Sequence, residues 1–335
     1  MSDDPARTGS VMRPAPLRPL ALIGNVNIDI IIGAAEPWPR PGTEIMVDHG
    51  EVRVGGAVGN TALALTAMEL PFQLAANTGK DHLGDWLRDA FADHSASWPV
   101  EATATTFSVG VTHPDGERTF FTMPGHIPLL SLQTVQHCLN IEKLRGGIAL
   151  IAGCYLTDRL TATYAELFAW LRTFDVEIAL DTGWPVAGWV PEVLTATRSW
   201  LPHCQHFLVN EVEITSLAGT ETVAAAMEQI ARLMPADAKL VVKLGAGGAI
   251  GLHRGEVARA KAPQVTPIDT IGAGDVFNGG YLAALARGED FQAAIETGVN
   301  VASRAISTLP RRYDVAGSAD ETSKATEPQI PDRTA

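Results

Sequence analysis

The chain has 335 residues, 38 acidic and 25 basic side chains for a net charge of −13, and 46 % hydrophobic residues. That apolar fraction excludes a disordered chain, and the acidic balance argues against binding to nucleic acid or an anionic membrane. The three scattered cysteines, Cys138, Cys154 and Cys204, make neither a disulfide framework nor a zinc site, so reduced thiols and a cytoplasmic location are expected.

Residues 1–19 hold four prolines and three arginines but lack the apolar core of a secretory leader, and they are expected to form a disordered extension. The first β-rich run, LALIGNVNIDIII (20–32), is interrupted by Asn25, Asn27 and Asp29, so no segment there can span a bilayer. Further β-rich runs fall at 72–78, 147–153, 176–181, 206–210 and 238–245. Amphipathic helical patterns separate them at 60–70, 82–94, 161–174 and 224–234. Near-continuous apolar strands alternating with such helices predict a mostly parallel sheet with helices on both faces.

Two stretches follow another template. Residues 43–56 (TEIMVDHGEVRVGG) and 105–123 (TTFSVGVTHPDGERTFFTM) alternate apolar and polar positions around Gly or Asp-Gly turns, which predicts hairpins. They would build a small antiparallel sheet that acts as a lid or an interface. Their exposed edges could pair in a homodimer or fold over a site. From Gly272 to about residue 306 two helices follow in succession. Residues 314–335 lack aromatic side chains and read as a disordered tail, leaving one folded unit over 20–313.

The densest chemistry lies in Asp269-Thr270-Ile271-Gly272-Ala273-Gly274-Asp275. A helix starts near Gly274, and the small residues Gly272, Ala273 and Gly274 let backbone amides converge where the helix dipole adds positive character. That is an anion hole. Asp275, in the first helical turn, is placed to take the proton of an attacking alcohol while the amides hold charge on a phosphoryl group. The plainer alternative is an acidic helix-start residue favoured by the dipole.

This segment resembles the signature of the PfkB family of carbohydrate kinases, and five further motifs stand in the family's order across residues 20–310. They are Asn27-Ile28-Asp29, Gly55-Gly56 with Asn60, Gly79-Lys80-Asp81 with Gly84, Asn210 with Glu213, and Lys243 to Gly248. The resemblance implies a ribokinase-like three-layer α/β/α fold with a β-sheet lid, ATP-dependent phosphorylation of a small sugar or a nucleoside, and ATP with Mg²⁺ as cofactors. It implies that Asn27, Asp29, Gly55, Gly56 and Asn60 hold the substrate, and that Arg118 either reaches the site from the lid or pairs with Glu117. Asn210, Gly245, Gly247 and Gly248 would bind the nucleotide, Lys243 would either contact its phosphates or face solvent, and Asn300 would either line the adenine pocket or sit on a helix face without a ligand. Glu213 would bind Mg²⁺ through water. Asp269 and the Ile271 carbonyl stand where many members bind a monovalent cation such as K⁺. Asp81 and Gly84 read as a helix cap and a turn.

The chain departs from the family's pattern at Met123-Pro124-Gly125-His126-Ile127 and at Asp181-Thr182-Gly183-Trp184-Pro185, and both departures are expected to bear on substrate choice. Two other classes were weighed. A silent sugar- or nucleotide-binding regulator would have no need of Asp275. A Rossmann oxidoreductase would need Gly-x-Gly-x-x-Gly after the first strand, where Gly24-Asn25-Val26-Asn27 stands instead.

Overall fold

The computed structural model describes residues 16–113 and 118–314. The turn of the 105–123 hairpin and most of both terminal extensions lie outside the described residues. In chain order the elements are β1 (Leu20–Gly24), β2 (Asn27–Ile32), β3 (Gly50–Gly55), α1 (Ala57–Ala67), β4 (Gln73–Ala75), β5 (Thr78–Gly79), α2 (His82–Ala90), α3 (Ala92–Ser95) and β6 (Val100–Glu101). Then come β7 (Phe107–Thr112), β8 (Arg118–Met123), α4 (Leu132–Cys138), α5 (Ile141–Leu144), β9 (Ile148–Ala152), α6 (Asp158–Thr161), α7 (Tyr164–Arg172), β10 (Glu177–Asp181) and α8 (Pro191–Trp200). The chain continues through β11 (His206–Asn210), α9 (Glu211–Ala218), α10 (Val223–Ala231), β12 (Lys239–Lys243), β13 (Ala249–His253), β14 (Glu256–Ala260), α11 (Ala273–Ala286) and α12 (Phe291–Ile306).

Eight strands form the central sheet in the order β14-β13-β12-β11-β10-β9-β1-β4. The six strands from β12 to β4 run parallel, and β13 and β14 close one edge as an antiparallel hairpin. Alternation along the strands divides the interior into two cores. Ile23, Ile151, Leu180, Val209 and Val242 pack under the helices on one face, including α7, α9 and α10. Leu22, Leu150, Ala179, Leu208 and Val241 pack under α1, α11 and α12 on the other. Strands buried on both faces read as unbroken apolar runs because neither side meets water. Truncating Leu22 or Leu150 to Ala, each fully buried, would cost about 2–5 kcal/mol.

The run 20–32 is two strands. β1 lies in the central sheet and β2 in a separate four-stranded sheet of order β3-β2-β7-β8, so the chain passes from core to lid at Asn25–Val26. The two predicted hairpins fare differently. β7 and β8 pair antiparallel, Phe107 opposite Met123 through Thr112 opposite Arg118. The 43–56 segment forms no hairpin of its own: residues 43–49 are not strand, and β3 pairs antiparallel with β2, Asp29 opposite Arg53. Its alternation was real, but the partner strand lay upstream. Contacts with the folded unit begin before residue 20. The Arg18 amide donates to the Ala286 carbonyl, and its guanidinium pairs with Glu177 at 2.9 Å.

His126 braces the crossing between the two sheets. It is fully buried; its Nδ1 accepts from the Thr106 amide (3.0 Å), which leaves Nε2–H to donate to the Val26 carbonyl (3.1 Å). Burial pushes its pKa down to about 4, so the ring stays neutral and the brace persists at physiological pH. Asp81 caps α2, accepting from the Gly84 amide at 2.9 Å and tying the helix to Thr105. Among the described residues no helix is long and apolar enough to cross a membrane, and the three cysteines are unpaired.

Candidate active site

The segment 268–274, which leads into α11, separates two cavities. The larger, about 690 Å³, lies toward the lid and is lined by Arg53, Asn60, Trp86, Arg118, Asp269, Arg311 and Tyr313 among others. The second, about 420 Å³, is lined by Lys243, Gly245, Ala246, Gly248, Val265, Thr270, Ala273, Gly274, Phe277, Val299 and Ser303. Ile268 and Asp269 border the larger cavity, and Thr270, Ala273 and Gly274 border the smaller, so one short segment stands between them.

Gly272 precedes α11 in the left-handed region (φ 73°), which favours glycine, and a Cβ there would lie 2.6 Å from Asn60 Nδ2. The Ala273 amide donates to the Thr270 carbonyl and the Val276 amide to the Gly272 carbonyl. The amides of Gly272, Gly274 and Asp275 have no acceptor among the described residues, whereas Ala273, one of the residues expected to form an anion hole, spends its amide on the turn.

Asp275 is held from α1. Asn60 Nδ2 donates to its carboxylate at 3.0 Å, and Thr61 Oγ1 donates to its carbonyl at 2.9 Å. Burial, joined by the neighbouring charge of Asp181, raises the Asp275 pKa to about 8 against the pull of Asn60 and Lys243. With its pKa raised to about 8 the carboxyl is mostly protonated at pH 7, and its ionised fraction, about one-tenth, is a stronger base than an ordinary carboxylate.

The lid-side polar ladder begins at the hinge. Asn25 donates to Asn27 (3.1 Å) and Asn27 to Asp29 (2.8 Å). Gly55 leaves the room for Asp29: a Cβ there would lie 2.0 Å from Asp29 Oδ2. Gly56, at φ 90°, lets the chain turn into α1 beside Asn25. Burial raises the Asp29 pKa to about 6, against the opposing pull of Arg53 and the Asn27 hydrogen bond.

The residues assigned to the nucleotide divide. Gly245, Gly248 and Lys243 line the smaller cavity, but Asn300 does not; α12 contributes Val299, Ala302, Ser303 and Ile306 to that wall instead. Gly247 is also absent from the lining. Asn210 and Glu213 form a reciprocal capping box at α9, with Asn210 Oδ1 accepting from the Glu213 amide at 2.9 Å and Glu213 Oε2 from the Asn210 amide at 2.8 Å. Asn210 is therefore a helix cap. Lys243 neither faces bulk solvent nor stands alone: its Nζ lies 2.6 Å from Asp181 Oδ2 and 3.4 Å from Asn278 Oδ1. Burial lowers its pKa, but Asp181 and Glu213 outweigh that and hold it protonated. The ammonium also lies 3.4 Å from where a Gly274 Cβ would stand, directly behind the anion hole.

Several site residues escaped the sequence. Asp181 and Asn278, joined at 2.6 Å, complete the Lys243 network. Arg53 and Arg311 converge on Asp269, as does Arg118. Arg118 reaches past its own hairpin to Thr270 Oγ1 at 2.9 Å, while Glu117 lies outside the described residues. The position expected to hold a monovalent cation is taken: Arg311 donates to the Asp269 carboxylate at 2.5 Å and to the Ile271 carbonyl at 2.7 Å. A lone arginine in a C-terminal segment carries no periodic signal that would announce this. Trp184 is 55 % exposed and packs edge-on against Trp189, outside both cavities.

A buried acid at a helix start with free amides, close to two cavities, is an arrangement that phosphoryl transfer can use. The family model described as pfkB family carbohydrate kinase matches residues 18–310, and the chain belongs to that family. It is 23 % identical over 314 residues to the ribokinase of Arabidopsis thaliana, covering 89 % of this chain and 80 % of that one. It is 28 % identical over 298 residues to the 1-phosphofructokinase of Haloferax volcanii, covering 88 % and 92 %. The solved structure of Arabidopsis thaliana ribokinase with ribose and ATP superposes with a TM-score of 0.71 at 22 % identity, covering 89 % of this chain and 96 % of that one. The fold is thus ribokinase-like, and the enzyme is a carbohydrate kinase.

Proposed function

We propose that the enzyme transfers the γ-phosphoryl group of ATP to an alcohol of a small sugar, with Asp275 as general base. The carrying observation is the placement of Asp275: at the start of α11, fastened by Asn60, with a pKa raised to about 8 and unused backbone amides beside it. In this reading the sugar lies in the lid-side cavity and the nucleotide in the cavity bordered by Gly245 and Gly248. Asp29 and Asp275 line neither cavity but stand behind lining residues, Asp29 opposite Arg53 and Asp275 on Asn60, and a sugar hydroxyl would reach past these to Asp29. Asp275 takes the hydroxyl proton as the oxygen attacks. The Gly272, Gly274 and Asp275 amides, backed by Lys243, hold the charge on the moving phosphoryl group. The lid sheet excludes water and limits idle hydrolysis of ATP.

Among the described residues no cluster of three or more His, Cys, Asp or Glu is arranged to hold a metal. Mg²⁺ keeps several waters and takes the rest of its ligands from phosphates. The donor chemistry fits: Glu213 is buried, and burial and the charge of Asp181 raise its pKa even though Lys243, paired with Asp181, pulls it down. Glu213 and Asp181 would hold the ion through water. When bound it neutralises charge on the phosphates.

A coupled assay of ADP release over hexoses, pentoses, phosphorylated sugars, sugar acids and nucleosides tests the proposal. Release stimulated at least tenfold by one sugar supports it. Release stimulated only by nucleosides would replace the substrate class, and no stimulation by any alcohol would refute the transfer reading.

A further inference from the structure

The loop that precedes the anion hole does not fit a monovalent metal ion. Arg311 Nη2 lies 2.5 Å from Asp269 Oδ2, 2.7 Å from the Ile271 carbonyl and 3.3 Å from the Asp269 carbonyl. One nitrogen thus meets three oxygens of two residues, as a ligated cation would. The Asp269 carboxylate has no capacity left. It accepts from the Ile271 amide (3.0 Å), Arg118 (3.3 Å), Arg53 (2.5 Å) and Arg311, and a carboxylate offers about four lone-pair sites. Three guanidinium groups around one carboxylate would also repel an incoming cation. Burial raises the Asp269 pKa, but the Ile271 amide, Arg311 and Arg53 together bring it below the usual carboxylate range.

We infer that Arg311 is a built-in substitute for a monovalent cation, a positioning residue that aims the anion-hole amides and makes the kinase independent of K⁺. The inference rests on the kinase reading above. The link is peptide planarity: the Ile271 carbonyl and the Gly272 N–H belong to one trans peptide unit and point in opposite directions. Fixing the carbonyl on Arg311 therefore fixes where the Gly272 amide points. The Ile271 amide, held by Asp269 Oδ1, fixes the preceding unit in the same way. Two adjacent peptide planes are locked directly before the αL turn that opens α11.

The test compares full-length enzyme and variants in KCl and in tetramethylammonium chloride at one ionic strength, by ADP release and by thermal unfolding. Wild-type turnover should differ less than twofold between the salts, with the same melting temperature in both. Arg311→Ala should lose at least tenfold in kcat in tetramethylammonium with little change in KM for the sugar. KCl or guanidinium chloride should restore a saturable part of that loss, and KCl should raise the variant's melting temperature. Arg311→Lys, which keeps one cationic donor, should lose less and respond less to KCl. Wild-type activation by K⁺ of fivefold or more would overturn the inference, as would an Arg311→Ala enzyme with full kcat in tetramethylammonium or one that neither salt rescues. If Arg311→Ala does not fold, the wild-type comparison decides alone. If wild type shows no ADP release with any alcohol, the kinase reading fails separately, and the salt dependence of the two melting temperatures still tests the cation substitution.

Discussion

The raised pKa of Asp275 makes pH the most direct probe of the site. A base with a pKa of about 8 is about one-tenth ionised at pH 7 and about one-hundredth at pH 6. If its ionised form carries the reaction, kcat/KM for the sugar, measured at subsaturating ATP, should rise about tenfold from pH 6 to 7. It should rise about fivefold more to pH 8 and level off above pH 9. Removing a negative neighbour lowers the pKa of a carboxyl, so Asp181→Asn should move the inflection down by about one unit. That variant also releases Lys243 from its 2.6 Å partner, which acts in the same direction. The assay is initial-rate ADP release over pH 5.5–9.5 in buffers of constant ionic strength. A flat profile between pH 6 and 9, or an inflection that moves up in Asp181→Asn, would refute the assignment of Asp275 as the base.

Asp275→Asn should cut kcat by about 10²–10⁴-fold while ATP still protects the protein in a thermal shift; turnover within tenfold of wild type would argue against it. The same variant carries a stability signature. A carboxyl whose folded pKa is raised loses stability as pH climbs from its unfolded value near 4 to about 8, so the melting temperature of Asp275→Asn relative to wild type should increase between pH 5 and 8.5. Gly55→Ala would put a methyl group 2.0 Å from Asp29 Oδ2 and displace that carboxylate. KM for the sugar should rise about tenfold or more with a smaller change in kcat, and an unchanged KM would remove Asp29 as the sugar anchor. Removing divalent metal with a chelator should abolish turnover and added Mg²⁺ restore it; full activity without metal would contradict the role given to Glu213 and Asp181.

Order along the chain determined much of this protein. The central parallel strands stand where apolar runs are longest, because strands buried on both faces must be apolar at every position. The start of α11 with Asp275 in its first turn was readable for a local reason: a helix start, its small residues and its acid are neighbours in sequence. Asp81 was recognisable as a cap on the same ground.

Elements whose partners are remote were decided only by the tertiary structure. The alternation of 43–56 cannot say that its partner strand is 27–32, nor can an apolar run reveal that Asn25 and Val26 carry the chain from one sheet to another. Lys243, Asp181 and Asn278 are separated by up to 97 residues, yet they form one buried network. Burial makes that network obligatory, since a charge removed from water must be paired, but the choice of partner depends on which strand ends and helix turns share one side of the sheet. The net charge of −13 belongs to the same lesson. It excludes broad anion binding by the surface, whereas the fold gathers Arg53, Arg118 and Arg311 on Asp269 and sets Lys243 behind the α11 amides, so that positive charge is concentrated where an acidic chain must meet a phosphate.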